Sequence, residues 1–199
     1  MAWFGPSKDE LWKQLSQEIG ADFVAGQLWK GSKVQAHVGP WTITLDTHTE
    51  SSGESQVTYT RMRAPFVGEA GFRFTIYRVG IFSALGKLMG MQDIEVGDPE
   101  FDAAFIIKST DESRVRELFS NRRIRELIAA QPAIHLSVRD SEGWFGPKFP
   151  DDVDELVFQV VGVIKDLSRL KMLYDLFAEV LDQLCKLGAA VKSSPNITL

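Results

Sequence analysis

Residues 165–187 read KDLSRLKMLYDLFAEVLDQLCKL. Apolar side chains fall at 170, 173, 177, 180, 184 and 187, alternating steps of three and four, and Leu176 and Leu181 broaden the stripe. A stripe this wide exceeds a two-stranded coiled-coil seam and suits a helix lying across a sheet. Gly188 is placed to supply the left-handed residue that ends it. Residues 192–199, with Pro195, are expected to form a flexible tail.

Upstream of that helix the pattern is mostly period two. Val34, Ala36 and Val38 alternate, Gly39-Pro40 marks a turn, and Trp41, Ile43 and Leu45 alternate with Thr42 and Thr44. Thr47 to Ser55 is polar and contains Gly53, which predicts a loop. Val57 to Met62 is a further strand, stopped by Pro65, which has no N–H to donate. Phe72, Phe74 and Ile76 form the next. Four sequential strands with short links predict an antiparallel meander.

The remaining segments alternate between helix and strand. Ser7-Lys8-Asp9-Glu10 is a capping box ahead of Leu11, Leu15 and Ile19. Ile81 to Met91, with Gly86 and Gly90 inside it, predicts a short helix. Asp102 to Lys108 reads as a strand. Ser109-Thr110-Asp111 and then Asn121 offer caps for two helices, ended by Gln131-Pro132. Ile134, Leu136 and Val138 make a strand, Ser141-Glu142-Gly143 a turn, and Leu156 to Ile164 a near-continuous apolar strand.

Composition bounds the function classes. With 199 residues, 44% hydrophobic and 25% charged, the chain falls in the globular range and is sized for one well-buried core. Its net charge of −5 gives no global pull toward nucleic acid, and no nucleic-acid partner is expected. No uncharged apolar run reaches the roughly 18 residues of a transmembrane helix. The N-terminus does not read as a signal peptide. Cys185 stands alone, so no intrachain disulfide forms. By elimination the expected setting is cytoplasmic.

Candidate chemistry concentrates in residues 93–102. Asp93, Glu95, Asp98, Glu100 and Asp102 are hard oxygen ligands around a Gly-Asp-Pro turn and are the candidate metal ligands. Their spacing is not that of an EF-hand. The plainer reading is an exposed loop anchored by Ile94, Val96 and Phe101. Arg114, Arg116, Arg122, Arg123 and Arg125 match phosphate chemically. The interleaved Asp111, Glu112, Glu117 and Glu126 instead favour a solvated helix face with i,i+4 pairs. His37, His48 and His135 are scattered over different elements, and no serine sits in a G-x-S-x-G elbow. The Gly-rich stretches lack the lysine and spacing of a phosphate loop. Trp-Phe-Gly-Pro occurs twice, at 3–6 and at 144–147, and reads as two aromatic turns.

Gly90 to Asp102, followed by Phe105-Ile106-Ile107-Lys108 and Asp111-Glu112, resembles a stretch found in uncharacterised bacterial domain-of-unknown-function families. That resemblance implies a bacterial source and attaches no function, cofactor or catalytic residue.

The expected architecture is α+β: an antiparallel sheet or barrel of about seven strands with a long C-terminal helix, spanning 1–191 as a single domain. Its element order matches a pleckstrin-homology-like barrel; an open sheet with helices over one face is the alternative. The expected function is a non-enzymatic binding or scaffold domain for a peptide, a protein or a lipid headgroup, without a cofactor. The alternative is a metal-assisted hydrolase using the loop 93–102. Self-association through the C-terminal helix is a further expectation. A pocket bordered by both the acidic loop and the arginine cluster would favour an enzyme.

Overall fold

The computed structural model describes residues 6–27, 31–53, 55–69, 71–80, 92–140, 149–197 and 199. Both Trp-Phe pairs, the helix expected over 81–91 and the turn at 141–143 lie outside those residues.

The chain opens with α1 (Lys8–Ile19). The Ser7 hydroxyl accepts from the Glu10 amide at 3.2 Å and the Glu10 carboxylate accepts from the Ser7 amide at 2.7 Å, which closes the capping box. Gly20 ends the helix in the left-handed region, at φ 67°. Strands β1 (Asp22–Val24), β2 (Lys33–Val38), β3 (Trp41–Ser52), β4 (Ser55–Gly68) and β5 (Phe74–Arg78) follow. Next come β6 (Gln92–Asp93), α2 (Pro99–Ala104), β7 (Phe105–Ser109), α3 (Glu112–Ser120), α4 (Arg122–Ala129) and β8 (His135–Arg139). The chain closes with β9 (Val153–Val161), α5 (Leu167–Lys186) and β10 (Ala190–Val191).

These strands make one open antiparallel sheet in the order β1-β2-β3-β4-β9-β8-β5-β7-β6, with β10 beside the end of β4. The meander therefore holds only through β4. Strand β5 pairs with β7 and β8, and β9 takes the place beside β4. Leu156, Val157, Phe158 and Val160 are buried on both faces of β9, which suits a place between two partner strands, although the strand ends at Val161 rather than Ile164.

Register sets the core. One row of directly paired residues crosses seven strands: Val34, Leu45, Met62, Phe158, Leu136, Ile76 and Ile107. Every member is buried. Helices α1, α3, α4 and α5 pack on this face, and α5 contributes Leu170, Leu173, Leu176, Phe177, Val180, Leu181 and Leu184 to the same core. The apolar stripe of α5 is thus occupied within the chain. Two polar ties fix the helices to the sheet: Tyr174 Oη donates to the Val34 carbonyl at 3.1 Å, and Trp12 Nε1 to the Ile164 carbonyl at 3.3 Å. Gly188, at φ 63°, turns the chain out of α5 so that β10 can reach β4.

Three local expectations are corrected. The polar segment 47–55 is not a loop: β3 and β4 continue as a two-stranded ribbon to a turn at Gly53, held by the ladder from Thr47–Thr60 to Ser52–Ser55. Threonine favours extended backbone, and Thr49 and Thr58 join their hydroxyls across the ribbon at 3.0 Å. Pro65 does not stop β4. Pairing with β3 ends at Arg63 and pairing with β10 begins at Val67, so Pro65 occupies the gap between the two. Residues 102–104 are not strand but the end of α2. Asp98 caps that helix by accepting from the Phe101 amide, and Pro99 sits at its first turn. Ile197 and Leu199 border a small hollow with Gln35, His37, Thr42, Thr44 and Pro65.

Phe158 lies at the centre of the buried row and is fully buried, whereas Val161, three residues on, is 65% exposed. We expect Phe158→Ala to cost about 3–5 kcal/mol in urea unfolding. Val161→Ala should stay within about 0.5 kcal/mol of the parent.

Candidate functional site

The acidic segment is built from its own backbone outward. Asp102 folds back so that its two carboxylate oxygens accept from the Val96 and Gly97 amides at 2.9 and 3.0 Å. Asp98 caps α2 with one oxygen and pairs with Arg125 Nε through the other at 3.2 Å. Asp93 pairs with Lys108 at 3.3 Å. Glu95 and Glu100 are exposed. Asp93, Glu95 and Asp102 border one hollow, together with Glu112 and Arg116, while Asp98 and Glu100 border another. Among the described residues no three His, Cys, Asp or Glu side chains converge as a metal site.

The arginine cluster is held in the same way. Arg116 pairs with Glu112 and Arg122 with Glu126, each one turn away at 2.9 and 2.8 Å. Arg114 pairs with Asp111, Arg123 reaches Asp175 on α5, and Arg125 reaches Asp98. Arg125 also donates to the Phe119 and Ser120 carbonyls, which fixes the α3–α4 corner.

These two groups meet. A cleft of about 430 Å³ lies between α2 and α4, bordered by Asp98, Glu100, Arg122, Arg125 and Glu126. Phe101, Ala104, Phe105 and Ala129 supply apolar lining. The acidic loop and the arginine cluster thus share one concavity, the arrangement expected to favour an enzyme, but Arg122 is paired with Glu126 and Arg125 with Asp98 rather than aimed at a common point. Arg78, at the end of β5, is the residue that sequence reading passed over. Its Nη2 donates to the Ala129 and Gln131 carbonyls at 3.0 and 2.9 Å, and its guanidinium lies over the Phe105 ring, 4.7 Å from the centroid. The only signal for it was an arginine at a strand terminus. Its partner Phe105 lies across the β5–β7 ladder and is set by register.

The sheet face away from the helices carries a second charged array. Arg61 grips Asp46 with two hydrogen bonds of 2.8 and 2.9 Å, and Arg63 Nη2 donates to the same carboxylate at 2.9 Å. Arg63 also approaches Glu155 at 3.8 Å, and Arg139 donates to Glu155 at 2.9 and 3.1 Å. Signs alternate along Arg61, Asp46, Arg63, Glu155 and Arg139. The Glu155 side chain has no exposed surface. Burial pushes the Asp46 carboxyl up, but its bonds to Arg61 and Arg63 outweigh this and hold it below the ordinary carboxylate range. Asp154 shows the reverse balance: burial raises it despite contact with Arg73 at 2.7 Å. A Cβ at 68 would lie 2.0 Å from the Asp154 carboxylate, so a side chain there would displace Asp154.

Two nucleophile or base candidates are disfavoured by their surroundings. Burial, followed by Asp182, pushes the Cys185 thiol up, away from the reactive thiolate. Burial and then Arg139 lower His135 to about 4, so its imidazole is neutral at pH 7. The unfolded ring takes a proton near 6.5, the folded one only near 4. Its contribution to stability is therefore complete above pH 6.5 and is lost as the pH falls toward 4. The slope should approach 1.4 kcal/mol per pH unit, on the order of one proton. Urea unfolding between pH 7 and 4.5 should show this slope in the parent, and His135→Gln should remove one proton's worth of it.

No protein-family model, curated protein or solved structure matches this chain, so its function is argued from the geometry above.

Proposed function

We propose that this chain is a non-enzymatic binding domain whose recognition site, for a peptide or protein partner, is the cleft between α2 and α4. The observation that carries the reading is the cleft itself. Strand β5, strand β7 and helices α2 and α4 bring three arginines and two phenylalanines around one concave space of about 430 Å³. Ligand pockets commonly combine apolar lining with a few fixed polar groups in roughly 300–1,000 Å³. The polar groups here are held by their neighbours: Arg125 by Asp98 and two carbonyls, Arg122 by Glu126, Arg78 by two carbonyls and a ring. Groups positioned on helices and strand ends need little reordering when a partner arrives, which favours binding.

A peptide library displayed on phage and panned against the full chain tests the reading. Selected peptides should bind in solution and lose at least about ten-fold in affinity on Ala129→Trp, which fills the cleft from an exposed helix position. Thr49→Trp, on the remote β3–β4 ribbon, should leave binding unchanged. Peptides that bind the Ala129→Trp chain as tightly as the parent would place recognition elsewhere. A melting temperature raised by Ca²⁺, Mg²⁺, Mn²⁺ or Zn²⁺ would favour the metal-assisted alternative, since saturation at 100 times the dissociation constant adds about 2.7 kcal/mol.

A further inference from the structure

We infer that the cleft between α2 and α4 takes a peptide segment carrying a carboxylate beside an apolar side chain, with the Arg78 guanidinium as its anchor. This rests on the binding reading above and names the ligand chemistry for the same site.

Uncompensated charge distinguishes Arg78 from its neighbours. Of the three arginines around the cleft, Arg122 and Arg125 each hold a carboxylate, at 2.8 and 3.2 Å. Arg78 does not. Its hydrogen bonds go to the Ala129 and Gln131 carbonyls, which orient it without neutralising it. Among the described residues no carboxylate pairs with it, and its buried Nε has no acceptor. Phe105, stacked beneath the guanidinium, keeps water off that side and weakens screening of the charge.

Of the acidic groups at the rim, Asp98 and Glu126 are paired, which leaves Glu100. Glu100 is exposed, so its field is screened by solvent, while Arg78 is half-buried. The less screened charge governs selection, and it is positive. With Nη2 committed to the two carbonyls and Nε buried, Nη1 is the donor left to meet a carboxylate oxygen. Phe101, Ala104 and Ala129 then offer apolar contact for the adjacent side chain. A partner with an acidic residue next to an aromatic or aliphatic one satisfies both features.

Nuclear magnetic resonance titration of the full chain provides the test, with four probes: N-acetyl-Phe-Asp-amide, its Phe-Asn and Phe-Lys counterparts, and inorganic phosphate. The Phe-Asp peptide should shift resonances of Ala104, Phe105 and Ala129 and bind at least about ten-fold more tightly than Phe-Asn. Arg78→Gln should abolish that preference. Because Arg78 also ties β5 to the end of α4, Glu100→Gln serves as a second variant that leaves those ties intact; it should strengthen Phe-Asp binding by a few fold. Equal binding of Phe-Asp, Phe-Asn and Phe-Lys at the cleft would overturn the carboxylate assignment while leaving a binding cleft in place. Phosphate that displaces the Phe-Asp peptide and binds as tightly would overturn the peptide in favour of a phosphate site. Absence of any shift at the cleft with all four probes would overturn the inference, whereas the binding reading answers separately to the selected peptides.

Discussion

The pairing of β4 with β9 is the constraint on which the other contacts rest. It joins eight residue pairs, from Thr60–Val160 to Val67–Val153, and among the described residues is the only ladder linking β1 through β4 to β8, β5, β7 and β6. Without it the chain would hold two smaller sheets, each with a raw edge and an incomplete core. With it, the buried row from Val34 to Ile107 becomes continuous, and the helices have one face broad enough to cover. The charged array on the opposite face lies across the same seam, since Arg63 belongs to β4 and Glu155 to β9. A buried ion network contributes little net stability against an apolar equivalent, but breaking one partner is costly. A one-residue slip of β9 against β4 would carry Glu155 to the apolar face and Phe158 away from it. Both faces therefore specify the same register.

The cleft follows from this arrangement at one remove. Because β9 occupies the centre, β5 is displaced to the far half, where it pairs with β7. That places Arg78 opposite Phe105, at the end of the sheet where α2 and α4 meet. Arg125 ties α4 to the α2 cap at Asp98, and Arg78 ties β5 to the end of α4. The same side chains that hold this corner together line its concavity.

The strands, the caps and the final helix were legible because their signals are local. Alternation marks β2, β3, β4, β5 and β8, a near-continuous apolar run marks β9, the capping box marks α1, and the three-four stripe marks α5. What escaped was non-local or masked by a competing pattern. Strand order was illegible because several apolar strands could each have paired with β4, and periodicity does not say which. Helix α2 reads as loop up to 101 and as strand from 102, because Ala103 to Ile107 is apolar throughout, although Asp98-Pro99 carries a start signal. The arginine and acidic clusters are visible in the sequence, and the i,i+4 pairs of Arg116 and Arg122 on their own helices follow from it, but the contact of Arg125 with Asp98 does not. Nor does the role of Arg78, since its stacking partner and its two carbonyl acceptors come from three separate segments.

Met62 and Phe158 face each other although roughly a hundred residues separate them in sequence, which has a consequence during synthesis. At 5–20 residues per second, β4 leaves the ribosome about 5–20 s before its partner does. Throughout that interval its outer edge is open to neighbouring nascent chains. Arg61 and Arg63 lie on that strand, and charge is what discourages strand addition from another molecule. Arg63, which later meets Glu155 across the seam, thus guards it while it waits.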